Sequence, residues 1–488
     1  MQEALAAATR ANDILFANRN DRWYPQLHIA ARAGWLNDPN GLCHFDGRYH
    51  VFFQHHPAST EWGPMHWGHV SSPDLITWRR EPIAFAPSIP EDSGGVWSGS
   101  AITADDGTLM IYYTGNVHAT DDEPGVQCQI LATSSDGVTF DKEQVVATAP
   151  GHGDFRDPKV WTQDGRWFMV VAARSLENRG QVWLYTSDDM RQWEFDRIIY
   201  EDPDPEVFMV ECPDLFEIDG RWVLIYGPMT TRRPEGHVKR NGQDSGYVVG
   251  HWEPGKAFEV EHEYRPADWG HNFYAPQTFM APDGRRILIG WMGSFRVPLD
   301  SQITDGWSGQ LTVPRELSLD GDRLTAEPIR EFAELRMETI DLGAFELAAG
   351  EERLVLDDVD AYEVELVVDL ELTTAEQVGL SINRTPSASG AWVAYDDLSA
   401  RIVLDRRTAG SRVGGYRSMP LMRRDELRLR VVVDRGSIEV FHEGEVLSSM
   451  NFPPDGPRSL VISAEMGAAA VSSLKVHRLG TIWETPGV

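Results

Sequence analysis

Residues 164–173 read DGRWFMVVAA, an Asp-Gly turn followed by an apolar run, and the chain contains five copies of this pattern. An Asp-Gly pair between apolar runs is a strong signal for a β-hairpin, because both turn positions need positive φ. Successive copies lie about 60 residues apart, which is typical of a repeated antiparallel unit. The copies begin at Asp46, Asp106, Asp164, Asp219 and Asp283.

A second pattern recurs at nearly the same spacing along the chain as the first. In three of the repeats an Asp is followed four residues later by an aromatic ring, and no amphipathic run of helical length interrupts the repeats. Radial repetition of such units forms a β-propeller, so the sequence predicts an all-β fold with a five-bladed β-propeller over residues 28–335. The alternative is a β-sandwich whose self-similarity is accidental. The three pairs are Asp74 with Trp78, Asp136 with Phe140, and Asp189 with Trp193.

The remainder of the chain shows a different pattern on each side of this region. Short alternating runs follow residue 345, and the run from Glu426 to Val431 alternates polar with apolar side chains, which marks a half-buried strand. These runs predict a β-sandwich domain over residues 345–485, whose simplest role is to cover one side of the propeller. A role for this domain in binding sugar or in forming a homo-oligomer stays open. Residues 1–27 are expected to form a helical extension.

The charge balance excludes some classes of partner. The chain has 488 residues, with 44 Lys and Arg against 75 Asp and Glu, and a net charge of −31. Such an acidic surface repels phosphate backbones and anionic lipids, so we expect neither nucleic acid nor a membrane as a partner. Glu3 stands where a secretory signal carries positive charge, and three cysteines are too few for a disulfide framework or a zinc site. We therefore expect a cytoplasmic protein without a metal or a cofactor.

Three acidic residues occupy settings that are unusual for a surface. Asp38 lies within GWLNDPNG, Asp157 within FRDP, and Glu211 within the apolar run FMVECPDLF. They fall in three different repeats, so the inner strands of a propeller would bring them to one axis. Paired carboxylates across a small cavity, one ionised and one protonated, suit the cleavage of a glycosidic bond.

Each of these residues also has a plainer interpretation when it is taken alone. Asp38 could cap the turn that follows it, Asp157 could form a buried ion pair with Arg156, and Glu211 could face solvent from an edge strand. The occurrence of all three in separate repeats favours a site. Tryptophans that could face a sugar follow or lie in the predicted inner strands: Trp62, Trp67, Trp97 and Trp291.

The motifs around these carboxylates resemble glycoside hydrolase family 32, the family of invertases, β-fructofuranosidases and sucrose-6-phosphate hydrolases. The resemblance covers nearly the whole chain and includes LRVVVDRGSIEVFHEGE in the C-terminal region. It implies a propeller followed by a sandwich and the release of fructose without a metal. The motifs are GWLNDPNG (34–41), WGPMHWGHVSSPDLITW (62–78), WSGSA (97–101), FRDP (155–158), ECPDLF (211–216), FYAPQTF (273–279), GWM (290–292) and TVPREL (312–317).

The resemblance also implies a role for individual residues. Asp38 matches the nucleophile, Glu211 matches the general acid and base, and Asp157 matches the carboxylate that orients the fructose hydroxyls. A retaining mechanism then predicts about 5–5.5 Å between the carboxyl groups of Asp38 and Glu211. The positions that match the fructosyl pocket are Asn37, Gln54, Trp62, Trp97, Ser98, Arg156 and Trp291.

The sequence departs from the family at three positions near this pocket. Asn272 stands where the family commonly has Asp, His56 replaces the usual Asn before Pro57, and Trp97 stands where Phe or Tyr is common. These residues are expected to affect substrate preference rather than the catalytic step.

The expected function is therefore that of a β-fructofuranosidase acting on sucrose or short fructo-oligosaccharides by double displacement. Fructosyl transfer through the same covalent intermediate and hydrolysis of sucrose 6-phosphate remain open. An inverting five-bladed glycosidase of the arabinanase or xylosidase type is disfavoured by the WLNDPNG motif. A carbohydrate-binding propeller without catalysis is disfavoured by the three intact carboxylates.

Overall fold

The computed structural model describes residues 1–120, 125–230, 237, 240–358, 360–410, 412 and 414–484. The predicted C-terminal limit of the sandwich, residue 485, lies outside these ranges. The chain is mostly β, with 55% of residues in strands and 6% in helices. None of the helices in the described ranges has the length and apolar character that a membrane crossing needs.

The N-terminal part of the described chain forms helix α1 (Gln2–Phe16). Asn12 anchors the helix, because its side-chain amide donates to the carbonyl oxygens of Ala33 (2.9 Å) and Pro57 (3.2 Å). The helix therefore packs where the first strand begins.

Among the described residues before position 330 there are twenty-two strands, together with the short helix α2 (Asp300–Thr304) and a 3-10 turn at Pro90–Asp92. In chain order they are β1 (Gly34–Phe45), β2 (Arg48–His56), β3 (His66–Ser72), β4 (Arg79–Arg80), β5 (Gly95–Thr103), β6 (Leu109–Val117), β7 (Val126–Ser134), β8 (Asp141–Thr148), β9 (Phe155–Gln163), β10 (Arg166–Arg174), β11 (Gly180–Ser187), β12 (Glu194–Glu201), β13 (Val207–Ile218), β14 (Arg221–Thr230), β15 (Gly246–His251), β16 (Glu259–Pro266), β17 (Tyr274–Met280), β18 (Arg286–Met292), β19 (Trp307–Ser308), β20 (Gln310–Leu311), β21 (Arg315–Asp320) and β22 (Arg323–Pro328).

In the described residues these strands form five small and mainly antiparallel sheets, whose first strands along the chain are β1, β5, β9, β13 and β17. In each sheet, one of the predicted Asp-Gly turns joins the two strands that come first along the chain. Asp46, Asp164 and Asp219 adopt positive φ as expected. The turns at Asp106 and Asp283 differ, because a longer connection places only the glycine in the left-handed region.

The first strands of the five sheets pack against one another in a closed ring, in the order β1, β5, β9, β13, β17 and back to β1. Strand β19 pairs in parallel with β1, so a late segment of this region completes the first sheet. The ring brings residues that are far apart in sequence to one central axis.

Each of these five inner strands has an irregular register near the same end. Such β-bulges turn side chains out of the hydrogen-bonded ladder and occur often beside active sites. Four of the irregular segments contain or adjoin a proline, which has no N–H to give to the ladder. The residues skipped by the pairing are Asn37 and Asp38, Ser98, Asp157 and Pro158, Cys212 and Pro213, and Ala275 and Pro276.

A 3-10 turn at Arg330–Leu335 leads to the second region, which forms two six-stranded antiparallel sheets around a shared apolar core. The sheet orders are β23-β34-β25-β30-β31-β32 and β24-β33-β26-β27-β28-β29. The strands are β23 (Arg336–Leu347), β24 (Glu352–Asp357), β25 (Tyr362–Asp369), β26 (Gln377–Arg384), β27 (Ala391–Asp396), β28 (Arg401–Asp405), β29 (Tyr416–Pro420), β30 (Glu426–Asp434), β31 (Ser437–His442), β32 (Glu445–Met450), β33 (Ser459–Glu465) and β34 (Ala469–Leu479).

A buried ion network joins the two regions. Arg315 contacts Asp268 (3.0 Å) in its own region and Glu439 (2.5 Å) in the sandwich sheet. His28 lies between Glu439 (2.9 Å) and Asp434 (2.8 Å), and all these side chains are fully buried. Because isolated buried charges are strongly unfavourable, the network favours one arrangement of the two regions.

Candidate active site

A cavity of about 330 Å³ opens where the irregular ends of the five inner strands meet. It contains nine of the ten predicted site residues, including all three carboxylates, and Trp291 is the exception. The residues that line it are Asn37, Asp38, Gln54, Trp62, Met65, Trp97, Ser98, Asp154, Arg156, Asp157, Glu211, Met229, Gln243, Tyr274 and Phe295.

Asp38 is buried in the irregular segment of β1 and accepts hydrogen bonds from neighbouring side chains on both of its oxygens. Asn37 Nδ2 donates to Oδ1 (3.0 Å) and Ser98 Oγ donates to Oδ2 (2.7 Å). Trp35 Nε1 fixes the Asn37 amide by donating to its Oδ1 (2.7 Å). Burial raises the pKa of Asp38, while the two donors oppose that rise by stabilising the carboxylate. The plainer interpretation of Asp38 as a turn cap does not account for these contacts.

Asp157 and Cys212 lie at the irregular positions of β9 and β13, and both adopt positive φ. The backbone N–H of Cys212 donates to Asp157 Oδ2 (2.9 Å), and its thiol lies 3.6 Å from oxygens of Asp38 and Asp157. Burial raises the pKa of Asp157, and the carboxylates of Glu211 and Asp38 raise it further against the effect of Arg156. Positive φ in non-glycine residues stores backbone strain, which is common at functional sites.

Glu211 faces the cavity from β13 and is held by two donors. Nε and Nη2 of Arg156 donate to Oε1 at 3.0 and 2.9 Å, and the hydroxyl of Tyr274 donates to Oε2 through a very short contact. Glu211 is therefore paired although it lies in an apolar run, because Arg156 reaches it from the neighbouring sheet. Arg156 also pairs with Asp154 (2.7 Å) rather than forming the alternative pair with Asp157.

The charges of this cavity set its chemistry. Three carboxylates, Asp38, Asp157 and Glu211, surround a single guanidinium, which itself also binds Asp154. Burial raises the pKa of Asp38 and of Asp157, and neighbouring carboxylates raise both further. A cluster of acids can supply one carboxylate and one proton donor to the same bound substrate.

The cavity wall opposite the acids is aromatic and polar. Trp62 is 44% exposed and packs edge-on against Trp97, with ring centroids 6.1 Å apart. Trp97 Nε1 is buried and has no hydrogen-bond acceptor among the described residues. Gln54 is fixed by its hydrogen bond to the carbonyl of Val96 (3.0 Å). A sugar bound in the cavity could stack on the tryptophan rings and accept hydrogen bonds from polar groups on this wall.

Two of the predicted tryptophans do not reach the cavity. Trp291 is 1% exposed and packs behind it, against Trp35 and Phe295, and it lines a neighbouring cavity instead. Trp67 is fully buried in the core of the first sheets, so its suggested contact with sugar is wrong. Both belong to dense aromatic clusters, which the sequence alone does not separate from ligand-facing positions.

The positions that depart from the family pattern also lie in defined places. Asn272 is buried at the neighbouring cavity, where its Oδ1 accepts hydrogen bonds from Arg406 (3.1 Å) and from the N–H of Met450 (3.0 Å). His56 lies outside the residues that line the active cavity, and its Nδ1 lies 2.8 Å from the carbonyl oxygen of Glu61. Trp97 alone of the three lines the active cavity.

Sequence reasoning missed Tyr274, which lines the cavity, Cys212, whose backbone N–H donates to Asp157 in the cavity wall, and Gln243, which also lines the cavity. The sequence carried a signal for Cys212 and another for Tyr274. Cys212 directly follows Glu211 and precedes a proline, and Tyr274 begins an inner strand in FYAPQTF. Gln243 comes from a connecting loop and carries no such signal.

Comparisons with known proteins agree with this geometry. The model of the glycosyl hydrolases family 32 N-terminal domain matches residues 28–328, and that of the family 32 C-terminal domain matches residues 331–478. A sucrose-6-phosphate hydrolase of Escherichia coli is 40% identical over 98% of this chain and 100% of its own. A raffinose invertase of Escherichia coli is 39% identical over 99% of both chains.

Solved structures show the same relationship. A family 32 β-fructofuranosidase mutant from Bombyx mori, in complex with sucrose, matches with a TM-score of 0.87 and 30% identity over 99% of both chains. Such structures consist of a β-propeller followed by a β-sandwich, which is the architecture of this mostly β chain. The matching domain models and the full-length relatives show that the chain belongs to glycoside hydrolase family 32.

Proposed function

We propose that this protein is a retaining β-fructofuranosidase that releases fructose from sucrose or short fructo-oligosaccharides. The observation that carries this proposal is that Asp38, Asp157 and Glu211 line one cavity. The activities named for its relatives, sucrose-6-phosphate hydrolase and invertase, act on the same fructosyl bond. The proposal rests on the family and on the site together.

In the first step, Asp38 attacks the anomeric carbon of the fructosyl unit and Glu211 gives a proton to the departing glycosidic oxygen. The donors Asn37 and Ser98 hold the attacking carboxylate in a fixed orientation, which reduces the reorganisation that the reaction needs. The C–O bond to the leaving group breaks as the bond to Asp38 forms, and a covalent fructosyl ester remains.

In the second step, Glu211 accepts a proton from water, and the resulting hydroxide displaces Asp38 from the fructosyl carbon. Two displacements on the same carbon retain its configuration. Asp157, which accepts a hydrogen bond from the N–H of Cys212, binds fructose hydroxyls in this mechanism while positive charge develops on the sugar.

The proposal extends to the architecture and the setting of the protein. A five-bladed β-propeller over residues 28–335 and a sandwich over 345–485, after an extension over 1–27, are supported by the closed ring of inner strands and the limits of the family domains. A cytoplasmic location is supported by the three cysteines, all buried and unpaired. Association of two copies through the sandwich domain belongs to the same proposal.

A chromatographic time course on sucrose tests the proposed function. The purified protein should release equal amounts of glucose and fructose, and adding a metal chelator should not change the rate. Asp38→Asn and Glu211→Gln should each lower kcat by several orders of magnitude with the fold intact, whereas the turn variant Asp136→Asn should not. Excess glucose with a trisaccharide would instead show fructosyl transfer, and full activity of either site variant would contradict the assigned roles.

A further inference from the structure

Arg156 makes a contact that opposes the role proposed for Glu211. Its Nε and Nη2 both donate to Glu211 Oε1, at 3.0 and 2.9 Å, so two charged donors bind one oxygen of the general acid. A guanidinium in this position stabilises the ionised form of a carboxyl group. The general acid must nevertheless carry a proton when the glycosidic bond breaks. The charge of Arg156 therefore needs a counter-charge elsewhere in the site.

Asp154 supplies a counter-charge on the far side of the guanidinium. It directly precedes β9 and lines the active cavity, and its Oδ1 lies 2.7 Å from Nη1 of Arg156. Nη1 is the nitrogen of Arg156 that does not donate to Glu211. One guanidinium thus bridges two carboxylates, and the Arg156–Asp154 pair presents less net positive charge to Glu211 than Arg156 alone would.

A second arginine holds Asp154 in place. Arg174 ends β10, and its backbone N–H donates to the carbonyl oxygen of Asp154 (3.1 Å), while its Nη1 lies 3.3 Å from Asp154 Oδ2. Arg174 is itself fixed by Asn178, whose Oδ1 accepts from its Nε (2.9 Å) and Nη2 (2.6 Å). Burial alone would raise the pKa of Asp154, but the two arginines hold it below its ordinary value. Asp154 is therefore a fixed negative charge near neutral pH.

Asp154 competes directly with Glu211 for Arg156. Among the described residues these two carboxylates are the only ones that form an ion pair with Arg156. Asp157 acts on Arg156 electrostatically, but it accepts the N–H of Cys212 instead. The other charged and titratable groups around this arrangement are Asp38 on β1, Asp157 on β9, Arg174 on β10, Cys212 on β13 and Tyr274 on β17.

We propose that Asp154 is a positioning residue of the reaction, which shares Arg156 with Glu211 and so allows Glu211 to carry the proton that the departing sugar needs. The inference rests on the proposed function, because it explains how the general acid is supported. Without the negative charge of Asp154, the guanidinium would act on Glu211 alone, and Glu211 would lose its proton at lower pH. Arg174 has the opposite influence, since its positive charge offsets that of Asp154.

The test is the pH profile of kcat/KM for sucrose, measured between about pH 4 and 9, which reports the acid and base of the free enzyme. Asp154→Asn keeps the shape of the side chain and removes its charge, so the basic limb should move to lower pH by about half a unit to one unit. Arg174→Gln removes a positive charge, so the basic limb should move to higher pH, by a smaller amount because exposed charges are screened.

Two further variants separate this effect from a merely structural one. Asp154→Glu restores the charge and should return the basic limb toward its original position. Asp196→Asn is the matched control, because Asp196 lies in the same sheet, outside the cavity, and pairs with Arg197 (3.1 Å). Its side chain is 26% exposed, against 28% for Asp154, and its loss should leave the profile unchanged.

The proposal is overturned if Asp154→Asn lowers kcat/KM equally at every pH, or if Asp154→Asn and Arg174→Gln do not move the basic limb in opposite directions. If Asp154→Asn does not fold, the direction of the shift in Arg174→Gln decides alone. Failure of the proposed function would be seen separately, as the absence of sucrose hydrolysis by the unaltered protein or as full activity of Glu211→Gln.

Discussion

At the scale of single residues, the charge of Asp38 is controlled by its two side-chain donors. Ser98 donates to the oxygen opposite the one bound by Asn37, and it opposes the rise in the pKa of Asp38 that burial causes. The nucleophile acts as a carboxylate, so activity is lost as pH falls through the pKa of Asp38.

Ser98→Ala should therefore raise the pKa of Asp38 further and move the acid limb of the kcat/KM profile to higher pH. A hydrogen bond to a charged group is worth about 1.5–3 kcal/mol, which corresponds to a shift of about one pH unit or more. Profiles measured between about pH 4 and 8 test this. Ser100→Ala is the control, because Ser100 lies in the same strand as Ser98, does not line the cavity, and accepts the backbone N–H of Val160 in β9. A uniform loss of activity without a shift would contradict the argument.

Tyr274 provides a second test at this scale. Its hydroxyl donates to Glu211, so Tyr274→Phe should lower kcat/KM about tenfold by removing a hydrogen bond to the acid. Tyr185→Phe should have no effect, because Tyr185 is buried outside the cavity. Equal rates for the two variants would show that the Tyr274 hydroxyl does not assist the reaction.

The convergence of Asp38, Asp157 and Glu211 could be predicted from the sequence because the three lie in separate copies of a repeat. The contact between Tyr274 and Glu211 could not, since it depends on how far one side chain reaches across neighbouring strands. The pairing of Arg156 with Glu211 was missed for the same reason, and sequence proximity to Asp157 suggested the wrong partner.

At the scale of strands, each inner strand has a β-bulge near the same end, and the active site lies where these bulges meet. Gly99 follows Ser98 in β5, and a Cβ there would lie 1.9 Å from the carbonyl oxygen of Tyr112 in β6. The bulge that turns Ser98 toward Asp38 therefore requires a glycine at the next position.

Gly99→Ala should lower the free energy of unfolding by about 1–3 kcal/mol or more, as overpacking does, and should reduce activity by displacing Ser98. Gly153→Ala is the control, because no heavy atom lies within 4 Å of an added Cβ and its φ is not positive. Calorimetry and sucrose hydrolysis on both variants make the comparison. An unchanged melting temperature for Gly99→Ala would contradict the role assigned to this bulge.

The hairpins could be predicted from their Asp-Gly turns, but the bulges could not. Asp157, Cys212 and Ala275 adopt positive φ without being glycines, so their residue types do not predict the bulges. What they share is a proline at the next position, a signal that becomes informative only once the repeats are aligned.

At the scale of the whole molecule, the ion network around His28 fixes the sandwich against the propeller. Hydrogen bonds to Asp434 and Glu439 raise the pKa of His28 to about 9 against the opposing effect of burial. A raised pKa in the folded state stabilises the protein fully below the ordinary value of 6.5, and this contribution is lost as pH rises through about 9.

His28→Gln should therefore lower the melting temperature most at pH 6.5 and progressively less toward pH 9. The raised pKa of His28 corresponds to at most about 3 kcal/mol in the free energy of unfolding at neutral pH. Scanning calorimetry at one scan rate across this range tests the effect, with the exposed His118→Gln as control. A difference between His28→Gln and the unaltered protein that stays constant with pH would contradict the charged state of His28.

This network was beyond sequence reasoning, because His28, Arg315 and Glu439 are far apart in the chain and carry no shared motif. The two all-β regions were nevertheless predictable from the change in pattern near residue 345. The arginines that line the neighbouring cavity between the two regions likewise come from both regions, so the sequence does not predict that they meet.

The configuration of the fructosyl product tests the central claim most directly. Hydrolysis of sucrose in the presence of methanol traps part of the fructosyl unit as a methyl glycoside, whose anomer NMR identifies without interference from mutarotation. We expect methyl β-fructofuranoside from the unaltered protein and no methyl glycoside from Asp38→Asn. The α anomer would contradict a covalent intermediate on Asp38 and would require direct attack by the acceptor.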